Sequence, residues 1–338
     1  MQIMKNATTY DDIKDVAVVR TDRIGDMILT LPMCKALKKI LPNSNITLIA
    51  RKYVEPVLYN CDVVDRVIYI EDFGQDFKKI FKAYTPNIAF FPRPRFNEVY
   101  YAYKSNVPVR VGSAYRWYSF LFTHKIKDHR KISLYNEAKY NLRMVETFFN
   151  RKLELEYVKL NVNPIAYERV EKILETLGVQ THNFIVLHPG SGGSTIVWPV
   201  YKFGELADLL IRSGYDVVVT GTERETPLAQ KILSYAREAK SLVGRIDLYE
   251  TIALISMAKG LVANSTGILH IASVLEIPTV GLFPNTPHLS AKRWGPIGPY
   301  SSAISPATTD PEHIDDMELI SPEDVFKELS SLILKASG

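Results

Sequence analysis

Two series of short apolar runs, one opening at Val16 and the other at Phe184, alternate with amphipathic stretches, and this alternation restricts the chain to an α/β design. Val16-Ala-Val-Val19 is apolar without a break, as a strand covered on both faces must be. After it come the loop Arg20-Thr-Asp-Arg-Ile-Gly25 and an amphipathic stretch from Asp26 to Leu41, read as one helix. Asn45 to Ala50, Val63 to Ile70 and Ile88 to Phe91 read as further strands, and Tyr140 to Phe149 as a helix. The second series repeats the plan. Phe184 to Leu187 is a strand, His188 to Trp198 a loop and Lys202 to Ser213 a helix. Strands at Tyr215 to Thr220, Gly260 to Ala263 and Pro278 to Phe283 follow, with helices at Leu248 to Lys259 and Gly267 to Leu275. A last helix, Pro322 to Lys335, lies beyond an irregular stretch from Trp294 to Leu319. The expectation is two doubly wound parallel sheets, in domains 1–163 and 164–338, with ligands at the carboxyl ends of the strands in the cleft between them.

The chain has 338 residues, 46% of them hydrophobic and 23% charged, which suits two globular domains. Its longest charge-free stretch, residues 176–201, is broken by glycines and prolines, so no run of about 20 apolar residues offers a membrane span. The opening MQIMKNATTYDDIKD has no apolar signal core, and Cys34 and Cys61 fall in expected core elements without metal-type spacing. A cytoplasmic protein with reduced thiols is expected. Net charge is only +4, yet Arg93 to Arg151 holds twelve Lys/Arg against four Asp/Glu, among many aromatics. Two readings stand: a solvated basic face over an aromatic core, or a surface for polyanions and anionic lipid headgroups.

Three strand-to-helix loops carry candidate chemistry. His188-Pro-Gly-Ser-Gly-Gly-Ser-Thr195 offers main-chain N–H groups with little obstruction and hydroxyls at Ser191, Ser194 and Thr195, the means of holding a phosphate without a metal. Flexible turns share that composition, but its place behind an apolar strand favours a site. In Asn264-Ser-Thr-Gly-Ile-Leu-His270, Ser265 or Thr266 is placed to cap a helix, with the N–H groups of Gly267 and Ile268 left toward an anion. An ordinary N-cap is the plain alternative; two such loops in adjacent βα units favour a diphosphate site. Taken alone, His270 reads as a structural histidine. In Arg20-Thr-Asp-Arg-Ile-Gly-Asp26, Asp26 is either a helix-start carboxylate or a base for an acceptor hydroxyl, with Asp22 as the alternative.

An ordered set of motifs goes further. In the first half these are Arg20-x4-Gly25-Asp26-x5-Pro32, Leu37-x3-Leu41-Pro42 and Arg110-Val-Gly112. In the second they are Pro189-Gly190, Trp198-Pro199, Gly221-x3-Glu225, Leu242-x-Gly244-x3-Leu248, Thr266-Gly267-x2-His270-x-Ala272, Pro278-x-Val-x-Leu-Phe283 and Ile320-x-Pro-Glu-x-Val325. Over nearly the whole chain the set resembles glycosyltransferase family 9, the ADP-heptose:lipopolysaccharide heptosyltransferases. The resemblance implies a GT-B fold, with acceptor on the first Rossmann-like domain and sugar nucleotide on the second. It also implies inverting transfer of a heptose or related sugar without metal or other cofactor; the chain has no Asp-x-Asp motif.

By the same resemblance Asp26 is the general base. Ser191, Gly192, Gly193 and Ser194 hold phosphates, Glu225 the ribose, and Ile246 packs on the base. Thr266, Gly267 and Ile268, with Ser265 and His270 beside them, hold the diphosphate and sugar. Arg20, Arg23, Arg93, Arg95, Arg110 and Arg116 are the candidates for an anionic glycolipid acceptor. The implied partners are an ADP-linked or other nucleotide-diphosphate sugar and a lipopolysaccharide-core acceptor, with peripheral contact to the cytoplasmic face of the inner membrane and no nucleic acid.

The family pattern is broken twice. Ile196 stands where a lysine precedes the tryptophan by two residues, and Ser265 where an aspartate precedes Thr/Ser-Gly. The first change removes a cation that would offset the leaving diphosphate, the second a carboxylate near the donor sugar. The Gly/Ser loop, Arg20, Arg23, Lys292 and Arg293 are the candidates to compensate. A catalytically silent sugar-nucleotide binder or scaffold of the same fold is the alternative reading. An epimerase would need a further carboxylate pair, and a dinucleotide oxidoreductase a Gly-x-Gly-x-x-Gly turn, which neither half has.

Overall fold

The computed structural model describes residues 13–308 and 310–338, so most of the opening stretch read for a signal lies outside the described residues. The chain divides into two compact units: Met1–Lys131 with Glu137–Val158, and Ile132–Asn136 with Lys159–Gly338.

In the first unit β1 (Asp15–Val19) leads to α1 (Ile24–Ile28), α2 (Leu31–Ile40), β2 (Asn45–Ala50), β3 (Arg66–Tyr69), α3 (Phe77–Ala83) and β4 (Ile88–Phe90). Then come α4 (Phe96–Lys104), β5 (Val109–Ser113), β6 (His124–Ile126) and α5 (Glu137–Phe149). All six strands are parallel, in the order β3-β2-β1-β4-β5-β6. Central β1 buries Val16 to Val19 completely, which explains its unbroken apolar run. The single helix expected over 26–41 is two helices. Pro32 has no N–H to give and its ring crowds the preceding turn, so the first helix stops at Ile28 and the second restarts with Pro32 in its first turn.

The second unit starts at α6 (Pro164–Leu177), whose first amides, Ile165 and Ala166, donate to the Asn163 side chain at 3.0 and 3.1 Å. It continues through β7 (Phe184–His188), α7 (Val200–Arg212), β8 (Asp216–Val219), α8 (Thr226–Tyr235), β9 (Lys240–Ser241) and α9 (Leu248–Ser256). β10 (Gly260–Asn264), α10 (Gly267–Val274), β11 (Thr279–Leu282), α11 (Ala291–Trp294), β12 (Ser301–Ile304) and α12 (Pro322–Ser337) complete it. These strands are also parallel, ordered β12-β11-β10-β7-β8-β9. The stretch expected to be irregular over 294–319 contains the edge strand β12; its sequence Ser-Ser-Ala-Ile lacks the apolar run that marks buried strands. The core of this unit gathers Trp198, Phe203 and Leu206 with Val325, Leu329 and Leu332 of α12.

Both sheets have the Rossmann order, in which the strand sequence reverses direction between the first and fourth strands of the unit. Loops leaving those two strands diverge to opposite faces and open a crevice at their carboxyl ends. In the first unit they follow β1 and β4; in the second, β7 and β10.

Candidate functional site

In the first unit the two crevice loops meet through Asp22. Its Oδ1 accepts from Arg93 at 3.0 Å and Arg95 at 3.1 Å, both on the loop after β4, and its Oδ2 lies 3.1 Å from Arg20 Nε. Asp22 is buried, enclosed by three guanidinium groups. Asp26 sits in the first turn of α1, pairs with Arg20, and keeps 11% of its side chain exposed. Between the two carboxylates that the sequence left open, Asp26 is the one with a solvent-facing edge.

Arg20, read as an acceptor contact, is instead 1% exposed. Its guanidinium lies against Asp26, Asp22 and, at 3.4 Å, Glu137 of α5. Burial disfavours its charge, but Asp26, Glu137 and Asp22 more than offset that and push it above its ordinary range. The Arg20 side chain is therefore taken up by three carboxylates and turned away from solvent. Helix α5 completes the brace. Asn141 Nδ2 donates to the carbonyl of Leu29 at 3.0 Å, and Thr30 Oγ1 donates to the carbonyl of Asp26 at 2.7 Å. Sequence reasoning missed Glu137 and Asn141, whose polar side chains fall on a helix too far along the chain to be linked to β1 by pattern.

A second buried carboxyl stands beside the site. Glu98 accepts from Thr21 Oγ1 at 2.6 Å and from the Arg95 amide at 3.0 Å. Burial pushes it up to about 7, against the downward pull of those two hydrogen bonds. Of the remaining arginines, Arg23 and Arg116 are exposed. Arg110 is elsewhere: its guanidinium donates to the carbonyls of Val107 and Leu121, the latter at 2.7 Å, and holds the turn after β5. Its other neighbour is Tyr103, whose ring centre lies 5.4 Å away. Internal pairing also takes part of the basic excess, with Arg143 forked onto Asp128 at 2.8 and 2.9 Å.

In the second unit the loop after β7 is pinned to the end of β10. Buried Asn264 accepts from the Trp198 amide at 2.9 Å and donates to the Pro189 carbonyl at 2.7 Å. Trp198, 1% exposed, donates from its indole to the Ile320 carbonyl at 3.1 Å. Between these anchors Gly192 and Gly193 have φ of +54° and +73°, values that glycine adopts without strain, and open space lies beside both. The amides of Gly193 and Ser194 turn inward onto Ser191, which shapes the loop. Ser194 Oγ lies 3.2 Å from the Ser265 carbonyl, so the two candidate phosphate loops touch. Thr195 Oγ1 is buried there without a partner among the described residues.

Beside the loop opens a cavity of about 820 Å³, a volume suited to a small ligand. Ser191, Gly192 and Gly193 line it together with Glu225, Thr222 and Arg224. Glu225 Oε2 accepts from Thr222 N and Oγ1 at 2.7 and 3.0 Å, and its carboxylate lies over Gly190. His188, bonded to Thr220 at 3.1 Å, is pushed down by burial to about 4, although Glu225 pulls the other way. It is neutral at pH 7.

Thr266 caps α10, accepting from Leu269 at 3.5 Å, with Gly267 and Ile268 in the first turn and His270 4% exposed behind them. Ile246 lies in the turn ahead of α9, outside the residues lining the cavity. Lys292 and Arg293 sit on α11, also outside it; Arg293 lies over Trp294. Arg224 was missed because it belongs to no recognisable pattern, and Thr222 because its Thr-x-x-Glu spacing to Glu225 reads as no more than a helix capping box. Among the described residues no group of three or more His, Cys, Asp or Glu is arranged to hold a metal ion, and no helix is long and apolar enough to cross a membrane.

Residues 114–317 match the family model described as Glycosyltransferase family 9 (heptosyltransferase). A relative in Haemophilus influenzae described as a glycosyltransferase is 26% identical over 344 residues, covering 95% of this chain and 97% of its own. Among solved structures, a glycosyl transferase family 9 protein from Veillonella parvula superposes with a TM-score of 0.83 at 18% identity, covering 97% of this chain and 99% of that one. The ADP-heptose lps heptosyltransferase II of E. coli gives 0.79 at 20% identity, over 96% of this chain and 100% of that one.

Proposed function

This chain belongs to glycosyltransferase family 9, and on that premise we propose that it transfers a heptose or related sugar, with inversion and without a metal, from an ADP-linked donor to a lipopolysaccharide-core acceptor. The observation that carries the reading is the pairing of two features. One is the cavity where a Gly/Ser loop, Glu225 and Arg224 converge in the second unit; the other is Asp26, braced by Arg20 in the first.

The donor is held by the second unit. Glu225 accepts from ribose hydroxyls, while the Ser191–Ser194 loop and the start of α10 receive the diphosphate with Ser265 and Thr195. Ile246 packs on the base and His270 supports the α10 turn. Arg224 is the cation among the described lining residues, and it takes over the charge compensation for which Ile196 has no group. The acceptor is held by the first unit, with exposed Arg23, Arg93, Arg95 and Arg116 as its anionic contacts. Asp26 accepts the proton of the attacking hydroxyl as the bond to the donor's anomeric carbon forms and the bond to the diphosphate breaks. Arg20 fixes the direction from which that proton is taken.

The test is thermal-shift titration with ADP-, GDP-, UDP- and CMP-sugars, followed by transfer assays with the donor that stabilises. Selective stabilisation by an ADP-sugar that Glu225→Ala and Arg224→Ala each weaken is the expected result. Equal response to all four nucleotides, or none, rejects the donor assignment.

A further inference from the structure

Along α4 the first unit carries an aromatic surface with a basic border that the transfer reaction does not use. Phe96, in the first turn, is stacked between Tyr100 and Trp117, with ring centres 5.4 and 5.0 Å away. Trp117 is 75% exposed and Phe120, close by in sequence, 68%. Toward the last turn of α4 the surface runs through Tyr100 and Tyr101, in edge contact at 5.2 Å, into a groove of about 610 Å³ between α3 and α4. Lys78, Lys82 and Lys104 border that groove, and Lys104 Nζ lies 5.7 Å from the Tyr100 ring centre. No ion pair engages these three lysines among the described residues.

Large aromatic side chains left in water in one contiguous group mark an interaction surface. Trp in particular is stable at the boundary between headgroups and acyl chains, where its ring is part apolar and part hydrogen-bonding. Unpaired lysines beside it fit a surface of phosphates. A second copy of the same face fits poorly, since none of the aromatic and lysine residues that form it is acidic and the lysines would gain no counter-charge. We infer that this face of the first unit docks on an anionic phospholipid bilayer, with Trp117 and Phe120 entering the headgroup layer and Lys78, Lys82 and Lys104 meeting lipid phosphates. The loop bearing Arg93 and Arg95 leads directly into α4, so docking holds the Asp22 end of the site next to the bilayer.

The experiment is cosedimentation of the full chain with vesicles of phosphatidylcholine alone and of phosphatidylcholine mixed with phosphatidylglycerol, with tryptophan emission read in parallel. The expected result is binding at least about tenfold tighter to the anionic vesicles, weakened by added salt, with a blue shift that Trp117→Phe removes while binding persists. Trp117→Ser with Phe120→Ser should lower binding about tenfold or more, and Lys78→Glu with Lys82→Glu and Lys104→Glu should abolish the preference for phosphatidylglycerol. Nucleotide-induced thermal stabilisation, a property of the second unit, should stay as in the parent, which separates the result from the donor assignment; an unchanged circular-dichroism spectrum and melting curve shows that the substituted first unit folds. Equal binding to both vesicle types, no binding, or unchanged binding by the serine variant overturns the inference. So does a dimer in vesicle-free solution that the serine variant converts to monomer.

Discussion

Gly190 and Glu225 occupy adjoining space so closely that a Cβ added to the glycine would overlap the Glu225 carboxylate. The carboxylate is also bonded to Thr222 N and Oγ1, so moving it aside disturbs those bonds. Gly190→Ala should therefore act as a lesion of Glu225, weakening donor binding about tenfold or more while the melting temperature without nucleotide shifts little. Isothermal titration of Gly190→Ala, Glu225→Ala and the double variant checks it. Full additivity of the two losses would show that the glycine acts by some other route.

On the proposed mechanism Asp26, paired with Arg20, supplies the reactivity and Arg20 the aim. Asp26→Asn should lower kcat about a thousandfold with donor affinity intact, since Asn keeps the shape and loses the basicity. Arg20→Lys keeps the charge and loses the fork that meets three carboxylates, so kcat should fall and stability with it. Turnover and melting curves measured together decide. Undiminished kcat in folded Asp26→Asn protein would remove the residue from the chemistry.

Asn264 is fully buried, and its side-chain amide serves two backbone groups of the neighbouring loop. Asn264→Ala leaves the Trp198 amide and the Pro189 carbonyl without those partners, a loss of about 2–3 kcal/mol. Chemical denaturation should register that loss, and donor affinity should drop as the Gly/Ser loop loosens. A stability change near zero would mean that water replaces the side chain without cost.

Two buried groups give opposite pH responses. Glu98, raised from an ordinary 4.5 to about 7, keeps its proton in the folded protein where the unfolded chain has lost it. It thus favours folding toward acid, and that advantage fades as pH rises through 7. His188, lowered from 6.5 to about 4, stays neutral where the unfolded chain is protonated. Its contribution is present above 6.5 and is lost as pH falls through 4. Melting curves from pH 4.5 to 7.5 for the parent, Glu98→Gln and His188→Gln should show difference curves of opposite slope. A flat difference for either variant rejects the account of that residue.

The fold was readable where burial on both faces leaves an unbroken apolar run, as at β1, β7 and β10. It was less readable where local chemistry competes with the pattern. The split between α1 and α2 depends on one proline, and β12 is too short and polar to register. The two Gly/Ser loops were legible as loops, because glycine and serine behind an apolar strand end it, but their contact through Ser194 and Ser265 was not. The role of Arg20 was not, since an arginine in a loop gives no hint of whether its guanidinium faces water or three carboxylates. Nor was Arg224, which carries significance only once the backbone brings residue 224 beside residue 191.

The brace on the loop after β1 has an effect on how such proteins can be recombined. Glu137 and Asn141 arrive on α5, after the five residues 132–136 that group with the other unit. A fragment halted at Lys131 would leave Arg20 short of a carboxylate and the end of α1 without its clamp. Chimeras that exchange the first unit between relatives should be spliced at Val158–Lys159, so that α5 always travels with its own β1.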